Sequence, residues 1–184
     1  MLQYPQRISL CGFGGQGIIL SAVILGTAAV TRAGLWAVQT QSYGSEARGG
    51  QCQAELIIQD KPINSPVAEK KNLLVALFQT AYDNYISCLE EDGVLVIDPQ
   101  LVTSLKRPIA RTLALPATQI AVDLGNRMSA NMVMLGFLSE AVDLVSREDL
   151  VDTVKEIANP RFQEINIRAV DAGIAYAREH RLYV

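Results

Sequence analysis

The feature that most limits what this chain can become is Gly12-Phe13-Gly14-Gly15-Gln16-Gly17, set between a short strand-like run and a long apolar one. Arg7-Ile8-Ser9-Leu10-Cys11 reads as a strand, and residues from about Ile18 to Arg32 read as a helix closed by Gly34. Strand, glycine turn and helix together form the context that the G-x-G-x-x-G fingerprint requires. Glycines allow close backbone approach, and the free N–H groups at the start of a helix favour an anion such as a phosphate. Gln16 adds a side-chain amide that could donate to the same group. Tight packing of the helix on the strand would use the same glycines without any ligand.

No charged residue lies between Arg7 and Arg32, a length that raises a signal peptide or a membrane helix. The four glycines break that stretch, and a strand, a turn and a buried helix account for it better. A dinucleotide site needs an acidic residue about twenty positions after the glycines, and Trp36 to Gln41 contains none. NAD or FAD is therefore disfavoured against a structural or phosphate-contacting turn.

Further along, Ala37 to Thr40 and Gln53 to Ile58 have strand character. Leu73 to Phe78 and Val94 to Asp98 are continuous apolar runs suited to the interior of a parallel sheet, with Thr80 to Leu89 as the crossover helix. Another strand is expected near Arg111 to Leu115. Helices are expected over Ala130 to Val145, after an N-cap at Ser146, and from Phe162 to Arg178. The sum is an α/β fold: a Rossmann-like open, mostly parallel sheet with flanking helices and a helical C-terminal portion. Its 184 residues read as a single domain, 1–184. The first helix is apolar almost all round, so it should meet the sheet on one side and another layer or subunit on the other.

A second constellation is the glycine-rich stretch from Gln41 to Gly50, read as a long loop, with Ser42, Tyr43, Glu46, Arg48 and Gly49. Arg48 could fork onto a phosphate or carboxylate and Tyr43 offers a flat face and a hydroxyl. An internal Glu46–Arg48 pair that stiffens the loop fits the same residues.

Charge and cysteine usage narrow the function classes. Sixteen basic residues against nineteen acidic ones, with no basic run, argue against nucleic acid as a partner. Cys11, Cys52 and Cys88 are odd in number and widely spaced, which suits a reducing cytoplasm and no disulfide framework. Without a Cys-x-x-Cys pair, and with His180 as the sole histidine, neither a four-thiolate cluster nor a common zinc site is expected. No G-x-S-x-G elbow occurs. Cys11 reads as a buried strand-end residue rather than a nucleophile, and Asp98 before Pro99 as a turn residue.

Taken together, the glycine hexapeptide, the Gln41-Ser42-Tyr43-Gly44-Ser45-Glu46-Ala47-Arg48-Gly49-Gly50 stretch and Ala54 to Ile58 closely resemble the gamma subunit, or gamma domain, of 2-oxoacid:ferredoxin oxidoreductases. The likeness extends over Val94 to Asp98 and Asn131-Met132-Val133-Met134-Leu135-Gly136. The loop wording is closer to the 2-oxoglutarate branch than to the pyruvate branch, with Ser45 standing where proline is frequent. The resemblance implies a cytoplasmic complex that converts a 2-oxoacid and coenzyme A to an acyl-CoA and carbon dioxide while reducing ferredoxin. It implies thiamine diphosphate and magnesium between alpha and beta subunits and iron-sulfur clusters in other chains or domains. The partners implied are those alpha and beta subunits, a ferredoxin-like delta subunit as a further candidate, and ferredoxin; a homodimer is a candidate state of the isolated chain. No cofactor is expected on this chain alone, and no catalytic or metal residue. Gly12, Gly14, Gly15, Gln16, Gly17, Ser42, Tyr43, Glu46, Arg48 and Gly49 are carried over as the contact surface for the coenzyme or for partners. The alternative reading is a freestanding Rossmann-like nucleotide-binding oxidoreductase.

Overall fold

The computed structural model describes residues 4–43 and 50–183. Strand β1 (Gln6–Phe13) alternates Ile8 and Leu10 with Ser9 and Cys11, and all four are buried, because both faces of the strand are covered. The glycine turn leads into α1 (Ile18–Thr31), followed by β2 (Trp36–Tyr43), β3 (Gln51–Gln59) and β4 (Lys71–Ala76). Then come α2 (Gln79–Tyr85), β5 (Leu89–Ile97), β6 (Arg111–Ala114), α3 (Ala117–Asp123), α4 (Ala130–Ala141), α5 (Arg147–Ile157) and α6 (Gln163–Glu179).

The strands form one sheet in the order β2-β3-β1-β4-β5-β6. The pairs β1/β4, β4/β5 and β5/β6 are parallel, while β3 runs antiparallel to both β1 and β2. The mostly parallel, Rossmann-like sheet read from the sequence is therefore present with one reversed strand. Its cause is the short link between β2 and β3: a parallel return needs a crossover of about a dozen residues or more, so a link this brief closes a hairpin. Gln41 and Ser42 extend that hairpin, opposite Ala54 and Gln53, rather than opening the loop as the sequence suggests.

Helix α1 lies on the face that carries Ile8, Leu10, Leu56, Leu73 and Val75, and the C-terminal helices complete that layer through Phe137, Val154 and Val170. The other face has a smaller core in which Cys11, Leu74, Leu95 and Ile97 meet Ala81, Tyr82 and Ile86. The expected crossover helix ends at Tyr85. A single 3-10 turn follows at Ile86–Cys88, and Leu89 already pairs with Lys71 in the sheet.

Helix α4 is buried along nearly its whole length, from Asn131 to Ser139. It lies directly against α6: a Cβ on Gly136 would come 2.0 Å from the Val170 carbonyl oxygen, and one on Gly173 would come 2.0 Å from that of Val133. The helix stops at Ala141 instead of running to Val145 because Asp143 turns the chain with φ 55° and the Ser139 hydroxyl donates to the Val145 carbonyl at 2.8 Å. Ser146 caps α5 as expected, accepting from the Asp149 N–H at 3.1 Å.

Candidate functional site

Strand β1 delivers the glycine turn to the carboxyl edge of the sheet, where α1 leaves toward one face and α2, after β4, leaves toward the other. Adjacent strands whose helices diverge in this way open a crevice at their carboxyl ends.

The turn is braced from within. Gln16 Oε1 accepts the Phe13 N–H at 2.6 Å and its Nε2 donates to the Leu77 carbonyl at 2.8 Å, which ties the turn to the end of β4. Gln16 thus braces the turn with its oxygen and one N–H of its amide, and it also lines the cavity beside the turn. Gly12 is what lets it reach, since a Cβ there would lie 2.5 Å from Gln16 Oε1. Gly15 (φ 97°) and Gly17 (φ 72°) sit in the left-handed region that other residues rarely adopt. Gly17 is the N-cap of α1 with no side-chain cap, and a Cβ there would lie 2.4 Å from Asn131 Nδ2. Asn131, only 3% exposed, thus brings α4 against the start of α1.

The two sequence motifs share this edge. The Gly14 N–H donates to the Gly50 carbonyl at 2.9 Å, and Phe13 pairs with Gln51. One and two strands further out lie Cys52 opposite Tyr43 and Gln53 opposite Ser42. Gly12, Gly14, Gly15, Gln16, Gly17 and Ser42, with the backbone of Tyr43, are thereby brought to one end of the sheet. Glu46, Arg48 and Gly49 lie outside the described residues.

Beside the turn is a cavity of about 110 Å³ lined by Gly15, Gln16, Leu77, Asp98, Thr118 and Arg127, among others. Asp98 is fully buried, and its two oxygens accept the N–H groups of Gln100 at 3.0 Å and Thr118 at 2.8 Å. It holds a turn and the first residues of α3, as the proline after it suggests. Arg127 and Thr118 were not singled out from the sequence. An isolated arginine carries no periodic signal, although the Asn126 cap, which accepts the Met128 N–H at 3.1 Å, marks a helix start there. Arg127 makes no ion pair among the described residues, so its charge is available to an anion.

Burial first, then the neighbouring Cys88 and Cys52 thiols, push the Cys11 thiol well above its ordinary range. A thiol so suppressed is a packing residue rather than a nucleophile. Among the described residues no three His, Cys, Asp or Glu side chains are placed to hold a metal ion, and no helix is long and apolar enough to cross a membrane.

A mostly parallel sheet with a glycine turn at its carboxyl edge defines an α/β protein of Rossmann-like order. The chain belongs to the pyruvate ferredoxin/flavodoxin oxidoreductase family, whose model matches residues 7–176. A 2-oxoglutarate synthase subunit KorC from Methanocaldococcus jannaschii is 41% identical over 177 residues, which cover 95% of each chain. The gamma subunit of a keto/oxoacid ferredoxin oxidoreductase from Geobacter sulfurreducens has a similar structure, with a TM-score of 0.86 and 36% identity over 96% of this chain and 98% of that one. The fold also matches 32% of a chain of the 2-oxoglutarate:ferredoxin oxidoreductase from Magnetococcus marinus, solved with 2-oxoglutarate, coenzyme A and succinyl-CoA bound, at TM-score 0.84 and 23% identity over 96% of this chain.

Proposed function

We propose that this chain is the noncatalytic gamma subunit of a cytoplasmic 2-oxoglutarate:ferredoxin oxidoreductase, in which it completes the assembly and supplies one wall of the coenzyme A site. The observation that carries this reading is the end-to-end likeness to a KorC subunit of equal extent, at 41% identity over 95% of both chains. The complex would take a 2-oxoacid and coenzyme A to an acyl-CoA and carbon dioxide, with the electrons passing to ferredoxin.

The site supports a binding role. Free amides at the glycine turn, the positive end of α1 and the unpaired Arg127 favour a phosphate group. A cavity of about 110 Å³ admits such a group, but whole small-molecule sites enclose about 300–1,000 Å³. A second wall must come from a partner, and alpha and beta subunits, with a ferredoxin-like delta subunit, are the partners proposed. Thiamine diphosphate, magnesium and iron-sulfur clusters belong to those chains in this reading. Its own residues are assigned to binding and orientation: the turn amides, Gln16 and Arg127 to a phosphate, and Ser42, Tyr43, Glu46, Arg48 and Gly49 to the coenzyme or the neighbouring subunit.

Tagged chain recovered from anaerobic extract is expected to bring thiamine-binding partners with it; recovery of the chain alone would overturn the assembly role. Within the intact complex, Arg48→Ala is expected to raise the KM for coenzyme A about 10- to 100-fold, the loss of one charge-assisted hydrogen bond. An unchanged KM would remove Arg48 from the coenzyme site.

A further inference from the structure

The sheet ends at β2, which among the described residues ladders with β3 alone. Natural edge strands are blunted by charge, proline, bulges or shortness. This one, Trp-Ala-Val-Gln-Thr-Gln-Ser-Tyr, is eight residues long, uncharged and free of proline, and it pairs with β3 in unbroken register from Trp36 to Tyr43. Along α1 beside it, Leu20, Val23 and Val30 form one apolar stripe and are 38%, 37% and 46% exposed. Val23, Thr27 and Val30 with Ala37 and Gln39 line an open groove of about 310 Å³ between that helix and the edge. On the opposite face Trp36 is 52% exposed.

We propose that β2 pairs antiparallel with β2 of a second copy of this chain, joining the two sheets across a twofold axis. An open backbone edge takes an extended strand, and three features select a copy of itself. In an antiparallel ladder directly opposed residues share a face. A register centred on Gln39 then sets Gln39 against its twin, Val38 against Thr40, Ala37 against Gln41 and Trp36 against Ser42, with no charge facing a like charge. The twofold axis of such a pair stands perpendicular to the sheet, so both α1 helices lie on one side of it. The two grooves then face each other, and Val23 and Val30 of each copy are brought toward those of the other. Finally, the chain carries a net charge of −3, so a contact between copies is favoured where it adds no further like charge. Helix α1 and β2 contain no charged residue, and this strip is where copies can approach without burying an ion. A partner recognised by charge would find nothing to grip here.

Light scattering on the eluted full-length chain at micromolar concentration tests the pairing. Wild type is expected at twice the monomer mass. Gln39→Lys and Gln39→Glu, each checked by circular dichroism, are expected to be monomers, because each places like charges together on the twofold axis. An equimolar mixture of the two is expected to recover the dimer. A monomeric wild type, including one whose edge is taken up only by another subunit, would overturn the proposal. So would dimers that persist in both variants, which would place the contact elsewhere. Hydrogen exchange of the wild type gives a reading independent of either substitution: β2 amides pointing away from β3 should be protected in the dimer and exchange freely on dilution. Equal exchange at both concentrations would count against the pairing.

Discussion

Cutting Gln16 back to alanine would remove two hydrogen bonds at once, leaving the Phe13 N–H and the Leu77 carbonyl without their side-chain partner. The expected loss is about 1–3 kcal/mol of stability, measured by urea unfolding. Gln16→Glu should fare no better than alanine, because it presents an oxygen to the Leu77 carbonyl in place of the donor. The glycines were legible as a turn, since few other patterns place four of them between an apolar strand and an apolar helix. The brace was not legible, because a glutamine aimed at a ligand and one aimed at the backbone three residues away look alike in a sequence. Cys11 makes a second prediction at this scale. Its raised pKa means that the folded state keeps the thiol protonated after the unfolded chain has begun to ionise. That contribution is whole below the ordinary thiol value and is lost progressively as pH rises from there toward the raised value of the folded state. The urea midpoint should therefore fall between about pH 8 and about pH 10, and fall less in Cys11→Ala.

Among elements, the contact of α4 with α6 is the least forgiving. Gly136 and Gly173 each face a carbonyl oxygen of the other helix at a distance that leaves no room for a methyl group. Backbone cannot swing aside as a flexible side chain can, so Gly136→Ala and Gly173→Ala should each cost about 3 kcal/mol or more, seen as a lowered Tm. The end of α5 offers a milder test: Ser146→Ala removes the cap on the Asp149 N–H and should cost about 1 kcal/mol. That cap was readable because serine before Arg-Glu-Asp is a local signal. The role of Gly136 was not, since a lone glycine in an apolar helix does not say which other backbone it meets. The short helix α3 was missed for a related reason. Its seven residues carry no distinct apolar stripe, and its start is secured by Asp98 from 20 residues upstream.

At the scale of the whole molecule, the sheet is layered unequally, with α2 alone on one face and the remaining helices on the other, where α1 keeps an uncovered apolar stripe. The small cavity beside the glycine turn is expected to be covered by a partner in the assembled complex. Hydrogen exchange on the purified complex is expected to show the glycine turn protected relative to the isolated chain; equal exchange would mean that partners dock elsewhere. The sequence alone determined the strand-turn-helix opening, the parallel centre of the sheet, the Ser146 cap of α5 and the kinship carried by the two glycine-rich motifs. Those features rest on local periodicity and on residues whose backbone demands are their own. Tertiary structure alone decided that the Gln16 amide reaches the end of β4, that Asn131 abuts the first helix and that Arg127 reaches the crevice. Each of these depends on which distant segment comes to lie alongside, and that is set by how faces fill one another in space rather than by spacing along the chain.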